Sequence, residues 1–384
     1  MVKNFKAKGQ RGRAGHGLRM SALLCTTALA LALPAGPSWA QSVSWNGGTG
    51  DWNSGANWNA GNSPTATEGA FFANGGTAEI NSGTNAEALL LSLGNGSGTS
   101  GNLIIRAGGG LALSSTLAVG NNEVAAPSLL DIDGGNLVQG GGTTWIYDTG
   151  RLVLRNGGVI DVSGNGNGGT LGLNGGTLVI GDGGGDVLAT GIWGYGASGQ
   201  VIFDNTANST FSTSITGNVE LTHGGSGTTT LSGNNTYTGG TTLNAGIVSV
   251  SQNSNLGAAN GPLSFDGGTL RTTAGFSMNR PTTIGTGGGT FDVTAGTTLT
   301  QSGVMSGNGQ LSKTGAGTLT LTGNSSAFAG TTIVDQGTLV LENLLGGSKS
   351  IRQTGTLDLR VAGAVTGETV EVGPVGPKLR FWPS

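Results

Sequence analysis

Residues 168–180 read GGTLGLNGGTLVI, one short phrase written twice. Each copy opens on two glycines and continues into a run in which every second residue is apolar. In the second copy Leu178 and Ile180 share one side of an extended chain, while Thr177 and Val179 share the other, because side chains alternate along a strand. A glycine pair supplies the positive φ that a tight corner requires, so Gly176, and Gly268 in a later copy, are expected to be such corners and to resist replacement by valine. The unit is turn, strand, turn. The phrase recurs as GGTAEI from Gly75, GGLAL from Gly109, GGNLV from Gly134, GGVIDV from Gly157, GGTLRT from Gly267, GGTFDV from Gly288, GTLVL from Gly337 and GTLDL from Gly355.

Many copies follow one another at intervals of roughly 18 to 26 residues, a period of solenoid coils rather than propeller blades. One unit cannot bury its apolar side alone; stacked about 4.8 Å from its neighbours, it pairs its backbone above and below and encloses a continuous interior. The fold class read here is all-β, a parallel β-helix of roughly 14 coils. No amphipathic helix is expected after Ala40, 86–93 being the nearest approach to one.

Composition agrees. Glycine supplies 78 of 384 residues and proline nine, without the three-residue period of collagen. Charged residues make up 10 %, so the polar surface is mostly hydroxyl and amide. Six of the 17 basic residues, Lys3, Lys6, Lys8, Arg11, Arg13 and Arg19, lie before Met20. The other 11 face 20 acidic residues, which makes the body acidic and leaves no basic stripe for nucleic acid.

That basic stretch is followed by MSALLCTTALALAL (20–33), Pro34 and Ser38-Trp39-Ala40. This is the order of a secretory signal peptide, with cleavage expected after Ala40; a retained anchor is the alternative. Cys25, the single cysteine, lies within the apolar run, so the mature chain is expected to carry no thiol.

A longer repeat overlies the short one. LTHGGSGTTTLSGNNTYTGGTTLNAGIVSV (221–250) aligns with LSKTGAGTLTLTGNSSAFAGTTIVDQGTLVL (311–341). Leu221, Gly225, Gly227, Leu231, Gly233, Asn234, Gly240, Thr241 and Thr242 recur as Leu311, Gly315, Gly317, Leu321, Gly323, Asn324, Gly330, Thr331 and Thr332, with one insertion expected near Gln336. At these residues the sequence resembles the passenger-associated repeat of bacterial autotransporters. The second copy keeps Lys313 and has Phe328 near the aromatic position; the first keeps Tyr237 and has His223 in place of lysine. The opening WNGGTGDWNSGANWNAGNSP, carrying Trp45, Trp52 and Trp58, is similar to the start of the same passengers. The resemblance implies a right-handed parallel β-helix exported through the outer membrane and displayed or released, with the repeats serving folding and export.

The expected organisation is a signal peptide (1–40), a Trp/Gly-rich cap (41–75), a β-helical passenger (76–370) and an irregular proline-containing tail (371–384) without a translocator barrel. Such a chain is a truncated or decayed product, or is served by a separate barrel. Its expected role is adhesive or structural, toward cell-surface glycans or proteins; the alternative is a β-helix enzyme acting on polysaccharide.

Chemistry is sparse. His223, the single histidine of the mature chain, permits no metal pair or Ser-His-Asp triad and is expected on a solvated turn. Asp131 and Asp133 share one side of a strand, a pair that in principle binds calcium or cleaves polysaccharide, with no positioned cation expected before Arg151. GDGGGDVL (181–188), with Asp182 and Asp186, imitates one calcium-binding nonapeptide, but true examples come in tandem, so a glycine-rich corner is preferred. Trp45, Trp52 and Trp58 are expected to close the open end of the stack rather than form an exposed glycan strip. No catalytic, cofactor-binding or metal-binding residue is assigned, and no cofactor is called for.

Overall fold

The computed structural model describes residues 41–94, 99–121, 126–352, 354–361, 370–373 and 376–381. The expected signal peptide and Cys25 lie outside them. The described chain is all-β, and its only helical pieces are two single 3-10 turns, Gly55–Asn57 and Asn253–Leu256. The 86–93 stretch forms two strands, Asn85–Ala88 and Leu90–Leu93.

The strands wind into a parallel solenoid of about 13 turns, close to 60 Å of stack at the usual strand spacing. Partners in adjacent coils are 17 residues apart at the shortest, Thr332 with Lys349, and 28 at the longest, Thr49 with Thr77. Two faces belong to one 18-stranded sheet, which is continuous because the 13-residue strand Gly191–Phe203 runs round a corner, its register shifting between Gly194 and Gly199. A third face is a five-stranded ladder from Asn85–Ala88 to Gly185–Leu188; nine- and six-stranded ladders cover the later coils.

Alternation does what the sequence leads one to expect. Leu103, Leu130, Leu152, Leu178 and Val201 stack coil upon coil, each fully or almost fully buried. Val179, on the outward side, is also buried, between Val153 and Ile202 of the coils on either side. A parallel ladder supports such columns because each coil meets its neighbours in register.

The glycine corners are partly different from the expectation. In these two pairs positive φ belongs to the first glycine, Gly175 at 84° and Gly267 at 123°, and not to Gly176 or Gly268; at Gly168 and Gly169 both members adopt it. The second glycine is required for space: a Cβ on Gly176 would stand 2.5 Å from both Ile146 Cγ2 and the Ile146 carbonyl oxygen.

The three N-terminal tryptophans are interior. Trp45, Trp52 and Trp58 are at most 3 % exposed, and with Phe72 they form a cluster of ring contacts 4.9–6.1 Å between centroids. Trp58 donates its indole N–H to Trp52 O at 2.7 Å, and Trp45 donates to Gly48 O at 3.2 Å. A buried indole needs such an acceptor. These rings fill the first turn and present no face to a ligand.

Strands also extend into the segment expected to be an irregular tail. Val370–Val372 pairs with Lys349–Ile351, and Lys378–Phe381 with Thr356–Leu359. Pro377 does not interrupt this ladder, because it immediately precedes the strand and the first bond is donated by Lys378 N–H to Gly355 O.

Candidate functional site

The long repeat is built around buried polar corners. His223 and Lys313 occupy equivalent positions at strand ends, and both are wholly buried. The expectation of a solvated histidine is thus corrected: alternation places it inward, as it places Leu221. Lys313 Nζ donates to Thr314 O (2.6 Å), Gly315 O (2.7 Å) and Gln336 O (3.2 Å). His223 Nδ1 lies 3.0 Å from Ala245 O, the counterpart of Gln336 O, and its Nε2 lies 3.1 Å from Thr229 Oγ1. Burial pushes the Lys313 ammonium down to about 8, opposed by the Asp292 carboxylate. It lowers His223 as well, opposed by the Ala245 bond and Asp204.

Two further cations are built the same way. Arg280 is wholly buried and donates to Asn253 Oδ1 and to the carbonyls of Asn253, Gly257 and Gly261 at 2.8–3.1 Å. Lys349 donates to the carbonyls of Leu345, Gly346 and Gly347. A corner turns several backbone carbonyls inward with no ladder partner, and a cation satisfies them where water is excluded.

The copies also locate the extra residue. Leu221 faces Thr241, whereas Leu311 faces Thr332. Asn235 Oδ1 accepts Ile215 N–H, and Ser325 Oγ accepts Met305 N–H, so these two still correspond. The insertion therefore falls between Ser325 and Phe328, upstream of the expected place near Gln336, and Thr332 rather than Thr331 matches Thr241. One difference follows. Tyr237 and Thr241 share a hydrogen bond at 2.7 Å, but Phe328 has no hydroxyl and the buried Thr332 Oγ1 is left without a partner. Phe328→Tyr is expected to stabilise the fold by about 1 kcal/mol, read as a higher urea midpoint with an unchanged slope.

The carboxylate candidates are occupied. Asp131 and Asp133 do share the outward side of Ser128–Asp133, but arginines from neighbouring coils flank them, contrary to the expectation of no positioned cation. Arg155 grips Asp131 through two bonds of 3.0 and 2.6 Å, and Arg106 bridges Glu79 (3.0 Å) and Asp133 (3.3 Å). Asn156 donates to Asp133 at 2.6 Å; this bond, with both arginines, holds the Asp133 carboxyl below its usual range despite burial. The five charged side chains form an alternating ladder across the coils, in which every carboxylate is already paired with a guanidinium, three acids sharing two arginines. Asp182 accepts Thr206 N–H at 2.8 Å. Asp186 is exposed beside a pocket of about 210 Å³, where the five-stranded ladder ends and the strand Ser209–Phe211 begins. Among the described residues, no three His, Cys, Asp or Glu gather as a metal site would require.

One surface feature was not anticipated. Thr144–Tyr147 and Gly191–Phe203 flank the strand Thr170–Asn174, and Trp145 and Trp193 stand on the outward side with Gly172 between them. Tyr147 and Tyr195 lie two residues further along each strand. Trp193 is 41 % and Tyr195 53 % exposed. Centroid distances are 6.4 Å for Trp145–Tyr147, 6.2 Å for Trp145–Trp193, 6.0 Å for Trp145–Tyr195 and 5.1 Å for Trp193–Tyr195. Gly172 permits this: a Cβ there would stand 2.5 Å from Trp145 Cε3, so the indole lies down over bare backbone. The signal available in the sequence is the W-x-Y spacing in both strands, read with the outward parity of alternation.

The passenger-associated-transport-repeat family model matches residues 221–250 and 311–341. The chain carries two passenger-associated-transport repeats. Both lie within the continuous solenoid, and their presence is consistent with an autotransporter passenger and implies export to the cell surface or beyond. No curated protein matches the chain. Equivalent strands of the two repeats lie on different faces: the column from Leu221 runs through Thr241, Leu263 and Thr282 to Met305, whereas Leu311–Thr314 belongs to the nine-stranded ladder, together with Thr228–Leu231 and Ile247–Val250 of the first repeat. Among the described residues, no helix is long and apolar enough to cross a membrane.

Proposed function

We propose that this chain is an autotransporter-type passenger, a right-handed solenoid exported with loss of residues 1–40, that acts by display and adhesion rather than by catalysis. The observation that carries the reading is the pair of passenger repeats set without interruption into one parallel stack. Stacking suits export, because each coil docks on the one before it and the stack grows from one end as chain emerges. An outer-membrane barrel is the proposed export partner, and cell-surface glycans or proteins are the proposed targets.

Expression in a bacterium with an outer membrane tests this. The chain is expected on the cell surface or in the medium, degraded when whole cells are treated with protease, with Gln41 as its first residue by mass spectrometry. A full-length chain retained in the cytoplasm contradicts the proposal.

A further inference from the structure

We propose that Trp145, Tyr147, Trp193 and Tyr195 form a binding surface for neutral glycans, a deepening of the adhesive reading on which it rests. Of the interior aromatics, Trp45, Trp58 and Tyr237 use their polar atoms within the protein. Among the described residues, no protein group bonds the indole N–H of Trp145 or Trp193, or the phenol of Tyr147 or Tyr195. Four π faces and four uncommitted polar edges therefore face outward together. Aromatic faces stack on the C–H face of a pyranose ring, and N–H and O–H edges bond its hydroxyls.

Charge and size select the occupant. The outward columns here are Ala118, Trp145, Gly172, Trp193, Thr216 and, beside them, Tyr147 and Asn174. Neither contains a charged side chain, so nothing attracts a sulfated glycan, a nucleic acid or an anionic lipid. Asp148, the carboxylate next to Tyr147 in sequence, disfavours a polyanion further. A protein partner needs on the order of 800 Å² per side. Four partly covered rings offer a few hundred at most, enough for one or two sugar rings. No large aliphatic side chain joins the patch, which leaves little for an acyl chain to bury against.

The test uses the purified full-length chain with cellohexaose, chitohexaose and mannohexaose as probes, read by intrinsic tryptophan fluorescence and titration calorimetry. At least one is expected to bind in the sub-millimolar range, and the Trp193→Ala/Tyr195→Ala double variant to bind at least about tenfold more weakly. Circular dichroism matching the parent keeps that loss attributable to the patch, since both side chains point into solvent. Absence of binding by all three at millimolar concentration overturns the proposal, as does binding that survives the double variant. Heparin or phosphatidylcholine vesicles bound through these residues in place of the glycans overturn it too. None of these results depends on export, so the patch and the passenger reading fail separately: fractionation of cells decides the second.

Discussion

A Lys313→Met variant is expected to unfold at a distinctly lower urea midpoint, with a loss of about 3 kcal/mol at neutral pH. Methionine nearly preserves the volume, so no cavity is made. What is lost are three N–H donors to Thr314 O, Gly315 O and Gln336 O in a site closed to water. Buried acceptors left unpaired cost roughly 1–3 kcal/mol each. Against this, the variant no longer buries an ammonium, which relieves about 3 kcal/mol. The carbonyls prevail because they belong to the backbone and cannot be mutated away. A midpoint unchanged from wild type overturns this account of the repeat's lysine.

The same residue gives the fold a pH signature. Its folded value is near 8 and its unfolded value near 10.5, so between these limits the unfolded chain binds more protons. Stability then rises with pH across that window, by at most about 3 kcal/mol, and the penalty is complete below it. In Lys313→Met the rise is absent. His223 acts in a different window: burial depresses it, so its contribution to stability falls as pH drops below about 6.5, the unfolded value.

The lysine was visible in the sequence as a repeat position, but not as a buried one. Its strand, Leu311–Thr314, is short, and alternation from Leu311 does point it inward. What local reading lacks is the carbonyls it meets, since Gln336 arrives from the next coil. Coil lengths vary from 17 to 28 residues, so which residues face one another is set by loops of irregular length rather than by a fixed period. The aromatic patch was hidden for the same reason, because Trp145 and Trp193 meet across an intervening coil. Conversely, most of what depends on one strand was legible: the alternation, the shared side of Leu178 and Ile180, and the glycine pairs as corners, although the positive φ falls on the first glycine at 175 and 267 and the inward side of His223 was missed. Asp131 and Asp133 mark the boundary. Their shared side was read correctly, but their arginine partners, Arg106 and Arg155, belong to other coils.

The glycine pairs separate two physical demands that a sequence merges into one motif. Gly176→Ala is expected to cost about 3 kcal/mol or more, because the added methyl meets both a side chain and main-chain atoms of the coil beneath. The Ile146 carbonyl carbon, 2.6 Å from that methyl, can yield only if the two coils part, which breaks the ladder between Tyr147 and the next strand. Gly157 tests the other demand. It has φ of 76°, and a Cβ placed there would meet nothing within 4 Å, so Gly157→Ala carries only the left-handed strain of about 1 kcal/mol. Asparagine, which tolerates this region, is expected to cost less there, as Asn156 already does at φ 53°. Urea midpoints of the three variants decide the matter. Equal losses at 157 and 176 would mean that both glycines answer to backbone angle alone, and that the coils are not in the close contact from which the solenoid derives its order.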